Sequence, residues 1–339
     1  MIIVLKPGCT KEEIKCVEKK VLEFGYEPRV IQGVERTIIG AVGDETTHKS
    51  LEILQSLPTI EKVIPVQKPY KMVSREFHKA SSVIEVGEKK IGNGHFLMIA
   101  GPCSVESLPQ METVTQDILA AGVTALRGGA YKPRTSPYDF QGLREEGLEI
   151  LAEVKAKYGV SIVTEIVGAP HIERVAAVAD VLQIGARNCQ NYHLLEVAAG
   201  ANRPVLLKRG FATTVKEWLL AAEYLIVHGC TNVILCERGI RTFETATRNT
   251  LDLCAVAVAK KETHLPVIVD PSHAAGIVDL ILPLSKAAIA GGVDGLIVET
   301  HPNPSEACSD AVQQIPSKDF KCFMAELQSL IELCCKPKP

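Results

Sequence analysis

The chain has 339 residues, 46% hydrophobic and 23% charged, with a formal net charge of −3. That length exceeds the roughly 250–300 residues at which a single core stops growing, so a large domain plus a small one is expected. The composition holds no basic patch that would suggest nucleic acid, and no apolar run approaches the roughly 18 residues needed to cross a membrane. The opening run MIIVLKPGCT is too short for a signal peptide and has no small-residue cleavage site. Eleven cysteines, an odd number without a C-x-x-C pair, are the pattern of a protein kept reduced. The sequence therefore predicts a cytoplasmic location.

The first 68 residues read as a unit of their own. Ile2 to Lys6 has the character of a strand, and Thr10 with Glu13 forms a capping box ahead of a helix over Lys11 to Phe24, its apolar stripe being Ile14, Val17, Val21 and Leu22. Pro28 to Ile31 and Arg36 to Val42 read as strands, Thr47 to Gln55 as a second helix, and Ile60 to Val66 as a last strand. The order β-α-β-β-α-β predicts a small ferredoxin-like α+β domain. Residues 69–95 read as a polar linker followed by a hairpin, Val83 to Val86 and Lys90 to Ile91, about a Gly-Glu turn.

From residue 96 a strand–helix unit repeats to the end of the chain. The strands read as Phe96 to Ala100, Ala125 to Arg127, Ser161 to Glu165, Val181 to Ile184, Pro204 to Lys208, Asn232 to Cys236, Pro266 to Asp270 and Gly295 to Glu299. Helical patterns lie between them, among them Met111 to Ala121, Gly147 to Tyr158 and Val215 to Val227. Eight such units over residues 96–339 predict an α/β fold of the (β/α)8 TIM-barrel class, whose chemistry sits at the C-terminal ends of the strands. A doubly wound open sheet is the alternative, disfavoured by the count and by the lack of a G-x-G-x-x-G in the first unit.

The strand ends carry two chemical groups. Arg127, Lys132, Arg134, Arg187, Lys208, Arg209 and Arg238 are cations that one rim would bring together, and guanidinium and ammonium groups suit phosphate and carboxylate. The bland reading pairs each with an acid such as Glu165 or Glu237, but the cations outnumber the acids. Cys103, His273, Glu299 and Asp310 offer a thiol, an imidazole and carboxylates, a set suited to Mn, Fe, Co or Zn. In KPRTSP, Lys132 to Pro137, Arg134, Thr135 and Ser136 could hold a phosphate on a proline-stiffened loop; the alternative is a rigid turn with a hydroxyl cap.

The runs IAGPCSVES, LRGGAYKPRTSPYDFQG, QIGARN, PVLLKRG, CERGIRTFE and VDPSHA resemble the type I 3-deoxy-D-arabino-heptulosonate 7-phosphate (DAHP) synthases that carry an N-terminal ferredoxin-like domain. The resemblance implies condensation of phosphoenolpyruvate with erythrose 4-phosphate, the first step of the shikimate pathway. It implies a divalent metal on Cys103, His273, Glu299 and Asp310. Arg127, Lys132, Arg187, Lys208 and Arg238 would then hold phosphoenolpyruvate, and Arg134, Thr135 and Ser136 the sugar phosphate. Lys132, Cys103 and His273 are implied to be catalytic, with Lys132 delivering a proton. It further implies an aromatic amino-acid effector, tyrosine or phenylalanine, on the N-terminal domain, and a homotetramer. The sequence departs from the family where isoleucine follows Gly276 in place of arginine, and where Ala311 follows Asp310 in place of glycine.

The sequence bears on four other readings. 3-Deoxy-D-manno-octulosonate 8-phosphate synthase shares the barrel, but its relatives read K-A-N-R-T-S where this chain has KPRTS. A Schiff-base aldolase would use Lys208. A catalytically dead barrel would have no use for the charged rim. A fused chorismate mutase is excluded by the strand-rich N-terminal segment.

Overall fold

The computed structural model describes residues 1–33, 36–43, 48–64 and 69–336. The chain divides into two compact units, Met1–Pro69 and Tyr70–Pro339. Among the described residues no helix is long and apolar enough to cross a membrane.

In the first unit, β1 (Ile2–Leu5), β2 (Glu27–Gln32), β3 (Thr37–Val42) and β4 (Ile60–Ile64) form an antiparallel sheet in the order β2-β3-β1-β4. This is the expected ferredoxin-like arrangement. Pro28 is tolerated because β2 is an edge strand. Helix α1 (Lys11–Glu23) starts at the expected capping box, Glu13 N to Thr10 Oγ1 at 3.2 Å and Thr10 N to Glu13 Oε2 at 2.7 Å. Its buried face is Ile14, Val17 and Val21, while Leu22 is 58% exposed and no part of the stripe. The second helix is a 3-10 helix, Leu51–Ser56, shorter than expected; Thr47, and the end of the last expected strand at 65–66, lie outside the described residues.

The second unit opens on a segment that is tethered to the barrel. The Glu223 carboxylate accepts the backbone N–H groups of Lys71, Met72 and Val73 at 2.9–3.0 Å. The hairpin β5 (Ile84–Val86) and β6 (Lys89–Ile91) follows, as the turn predicts. At its turn, Gly87 (φ +58°) approaches the first residue of a barrel strand so closely that a Cβ would lie 2.2 Å from Ser161 Oγ. The hairpin's Ile84, Val86 and Ile91 join Ile99, Val163, Leu206, Ile234 and Ile297 in the core inside the barrel. The hairpin thus plugs the N-terminal mouth.

The barrel strands are β7 (Leu97–Gly101), β8 (Ala125–Arg127), β9 (Ser161–Ile166), β10 (Val181–Ile184), β11 (Val205–Lys208), β12 (Val233–Glu237), β13 (Val267–Val269) and β14 (Gly295–His301). All pair in parallel with their neighbours, and β14 pairs with both β13 and β7, so the sheet closes. The surrounding helices are α2 (Leu108–Ala120), α3 (Glu145–Tyr158), α4 (Ile172–Val178), α5 (Tyr192–Ala199), α6 (Val215–Val227), α7 (Leu253–Glu262), the short α8 (Pro271–Ala275), α9 (Ile281–Ala290) and α10 (Phe320–Cys334). They are amphipathic; Trp218 of α6, fully buried, also donates to Leu207 O. This is the TIM barrel that the eight repeats predict.

Because the hairpin completes the inner core, Ile91→Ala should open a cavity at the barrel's base. The expected loss is about 2–5 kcal/mol of unfolding free energy, read by denaturant titration of the barrel transition.

Candidate metal and anion site

The site begins where β7 ends. Gly101 has φ +150°, and a Cβ there would lie 2.1 Å from Arg127 O, so only glycine lets the ends of β7 and β8 come this close. That approach brings Cys103 and Arg127, both buried, to the same spot on the rim. From across the closure, Asp270 caps α8: its Oδ1 accepts His273 N at 2.9 Å and its Oδ2 bonds His273 Nδ1 at 2.7 Å. The carboxylate on Nδ1 leaves Nε2 facing Glu299 Oε1 at 3.5 Å and Asp310 Oδ2 at 3.6 Å. A buried carboxylate behind an imidazole is the usual support of a metal-ligating histidine.

One donor atom each from Cys103, His273, Glu299 and Asp310 lies within 4.8 Å of the others. The donor set and spacing fit a divalent first-row ion. Glu299 Oε1 is buried without a hydrogen-bond partner, although Arg127 Nη2 stands 3.0 Å away. Asp310 takes the left-handed backbone, φ +50°, and Ala311 begins a 3-10 turn, so glycine is not needed after the aspartate. Ile277, at the other departure from the family, is 40% exposed and outside the pocket.

Electrostatics sets protonation. Burial, and then Glu299, push the Cys103 thiol up to about 12, outweighing Lys132. Cys103 Sγ accordingly donates to Asp310 Oδ2 at 3.3 Å. Burial alone would raise the carboxyls of Glu299 and Asp310, yet both lie below their ordinary values. His273 holds both down only while it is protonated; Arg127 holds Glu299 down, and Arg248 and Lys132 hold Asp310 down, at any pH near neutral. Burial keeps His273 below its ordinary value against the pull of Asp270 and Glu299, so its imidazole is neutral at pH 7. Lys132 Nζ sits 2.9 Å from both Cys103 Sγ and Cys103 O.

His273 and Asp310 also line a cavity of about 260 Å³, together with Arg127, Lys132, Arg134, Thr135, Arg187, Lys208 and Arg238. The expected anion residues are therefore gathered in one place, with two exceptions. Ser136 is not on the wall; its hydroxyl accepts Tyr138 N at 3.2 Å, as the turn alternative had it. Arg209 turns away, bound to Glu237 at 2.9 Å and Asp252 at 3.0 Å. Lys208 is paired with Asp270, an ammonium–carboxylate contact in place of the free amine of a Schiff-base aldolase. Arg127 Nε and Nη1 are buried with no hydrogen-bond partner among the described residues, an arrangement that suits an anion.

Sequence reasoning missed Phe211, whose ring lies 4.8 Å from the Arg238 guanidinium and 5.8 Å from that of Arg187. It also missed Arg248, on the wall and 3.3 Å from Asp310 Oδ2. Arg248 stands at no strand end and in no motif, and Phe211, three residues past β11, carries no charge or ligand atom to mark it. Thr135 Oγ1 accepts Arg187 Nη2 at 3.3 Å, which ties the KPRTS loop to the end of β10.

Fold and site together define a (β/α)8 barrel with a buried metal-capable quartet opening onto a cation-lined pocket. The family described as "DAHP synthetase I family" matches residues 73–333, and "DAHP synthase ferredoxin-like domain" matches residues 1–68. The chain belongs to the DAHP synthetase I family. It is 52% identical over 332 residues, 98% of each chain, to the phospho-2-dehydro-3-deoxyheptonate aldolase of Thermotoga maritima. A crystal structure of the T. maritima DAHP synthase superposes with a TM-score of 0.92 at 51% identity, covering 98% of this chain and 97% of that one. A 2-dehydro-3-deoxyphosphooctonate aldolase of Francisella tularensis is 32% identical over 74% of this chain and 97% of its own.

Since only the Cys103 thiol must lose a proton for all four donors to bind, metal uptake near pH 7 should release about one proton per ion. Affinity should rise with pH below the thiol's value of about 12, by about tenfold per unit. Calorimetry in buffers of different ionisation enthalpy reads the count, and Cys103→Ala should abolish it.

Proposed function

We propose that the chain joins phosphoenolpyruvate to erythrose 4-phosphate with addition of water, giving DAHP and inorganic phosphate. The observation that carries this reading is one cavity whose wall joins two members of the metal quartet to a ring of phosphate-type cations. Two phosphorylated substrates and one carbonyl to activate need that combination.

A divalent ion (Mn, Fe, Co or Zn) on Cys103, His273, Glu299 and Asp310 would supply Lewis acidity toward the sugar's aldehyde oxygen. The remaining work falls to the chain's own groups. Arg127, Lys132, Arg187, Lys208 and Arg238 hold the phosphate and carboxylate of phosphoenolpyruvate. Arg134 and Thr135 hold the sugar phosphate, and Ser136 keeps their loop in shape through Tyr138. With both substrates fixed, C3 of phosphoenolpyruvate bonds to C1 of the sugar, and water adds at C2 with loss of a proton; the hydroxyl so formed becomes the C2 ketone as the C2–O bond to phosphate breaks and its proton leaves with the phosphate. The arginines ease departure of the phosphate. Lys132, against Cys103 and on the pocket wall, gives a proton to the oxygen at the former aldehyde carbon.

The N-terminal unit, residues 1–68, we read as a regulatory domain that binds an aromatic end product, tyrosine or phenylalanine, in a homotetramer. The ferredoxin-like family match supports that reading. We place the enzyme in the cytoplasm, at the first step of the shikimate pathway. Equilibrium dialysis of the full-length protein with each amino acid tests the effector; no binding of either would sink it.

The reaction is tested by phosphate release from phosphoenolpyruvate in metal-stripped and Mn-restored enzyme, with erythrose 4-phosphate or arabinose 5-phosphate. Turnover with the four-carbon sugar alone, restored by metal, is expected. Turnover with arabinose 5-phosphate would favour the octulosonate reaction, and none with either would favour a dead barrel.

A further inference from the structure

One buried side chain outside the pocket touches two carboxylates of the quartet. Gln313 is 1% exposed, in the 3-10 turn that follows Asp310. Its Nε2 donates to Glu299 Oε2 and, at 3.4 Å, to Asp310 Oδ2. Its Oε1 accepts Arg248 Nη1 at 2.8 Å. These neighbours fix the sense of the amide, because reversal would set its oxygen against two carboxylates and its NH2 against a guanidinium.

The consequence falls on Glu299. Its Oε2 is occupied by the amide, while its Oε1 has no hydrogen bond and faces His273 Nε2 at 3.5 Å. We propose that Gln313 is a positioning residue for the metal: it holds Glu299 to ligation through one oxygen and ties Asp310 to the same amide, with Arg248 fixing the amide's direction. The neighbouring Gln314 acts alongside, accepting Cys103 N at 3.1 Å and donating to Ser309 O at 2.9 Å, so the turn after Asp310 braces the cysteine as well. Without the Gln313 donor, Glu299 is free to chelate through both oxygens and the coordination number rises.

This inference rests on the metal reading above, and the test separates the two. Gln313→Met keeps the volume and removes the donor. Its Mn affinity, measured by competition with a chelator, should fall about 10–100-fold, and the visible spectrum of the Co-loaded protein should change toward a higher coordination number. The unfolding midpoint and inorganic phosphate binding of the metal-free protein should stay near wild type. Should the methionine variant not fold, Gln313→Asn remains polar but is too short to span from Arg248 to Glu299, and the same losses are expected. A folded variant with wild-type Mn affinity and an unchanged Co spectrum would overturn the proposal. Wild-type protein that binds no Mn, or binds it equally after Cys103→Ala, would overturn the metal reading, and the proposal with it.

Discussion

Closure of the barrel between its first and last strands is the constraint on which the site depends. The pairing of β7 with β14 runs up to Gly101 opposite Glu299, and β13 flanks β14 on its other side. Cys103, Glu299 and His273 therefore come from neighbouring strand ends although 170 or more residues separate the cysteine from the other two in sequence. Gly101 sets the last detail, since the approach of its backbone to Arg127 leaves no room for a side chain. The hairpin plug serves the same end from below, filling the interior so that the polar residues need occupy only the upper rim.

Charge is then managed in two ways within one pocket. Arg127 and Lys208 lie against Glu299 and Asp270, which orients them but also offsets part of their field, while Lys132 rests on the Cys103 thiol and carbonyl. Arg187 and Arg238 instead lie beside the ring of Phe211. An aromatic face attracts a cation without neutralising its formal charge, so these guanidiniums keep their field. Burial keeps the Cys103 thiol protonated and His273 neutral, while nearby cations keep the carboxyls of Glu299 and Asp310 ionised. The donor set is assembled with a single proton left to lose.

The barrel was legible in the sequence because its strands are buried on both faces. They read as short apolar runs bounded by turn residues, and the polar residues at their ends stand out against them. Cys103, Arg127, Lys208, Arg238, His273 and Glu299 are visible for that reason. Pattern failed where exposure is set by tertiary packing: Leu22 continues the apolar stripe of α1 yet faces out, and Arg209 stands beside Lys208 yet turns to Glu237 and Asp252. It failed again for Ser136, whose hydroxyl is used locally, and for Phe211, Arg248 and Gln313, which connecting segments deliver to the site without a spacing that marks them.

One ion, held by four protein donors, is expected to share its pocket with phosphoenolpyruvate. Anomalous diffraction at the Mn edge, from crystals grown with Mn and phosphoenolpyruvate, locates both. A single strong peak is expected, bounded by Cys103 Sγ, His273 Nε2, Glu299 Oε1 and Asp310, with the phosphoenolpyruvate density against Arg127, Lys208 and Arg238. A peak elsewhere, or phosphoenolpyruvate bound away from those cations, would contradict this arrangement.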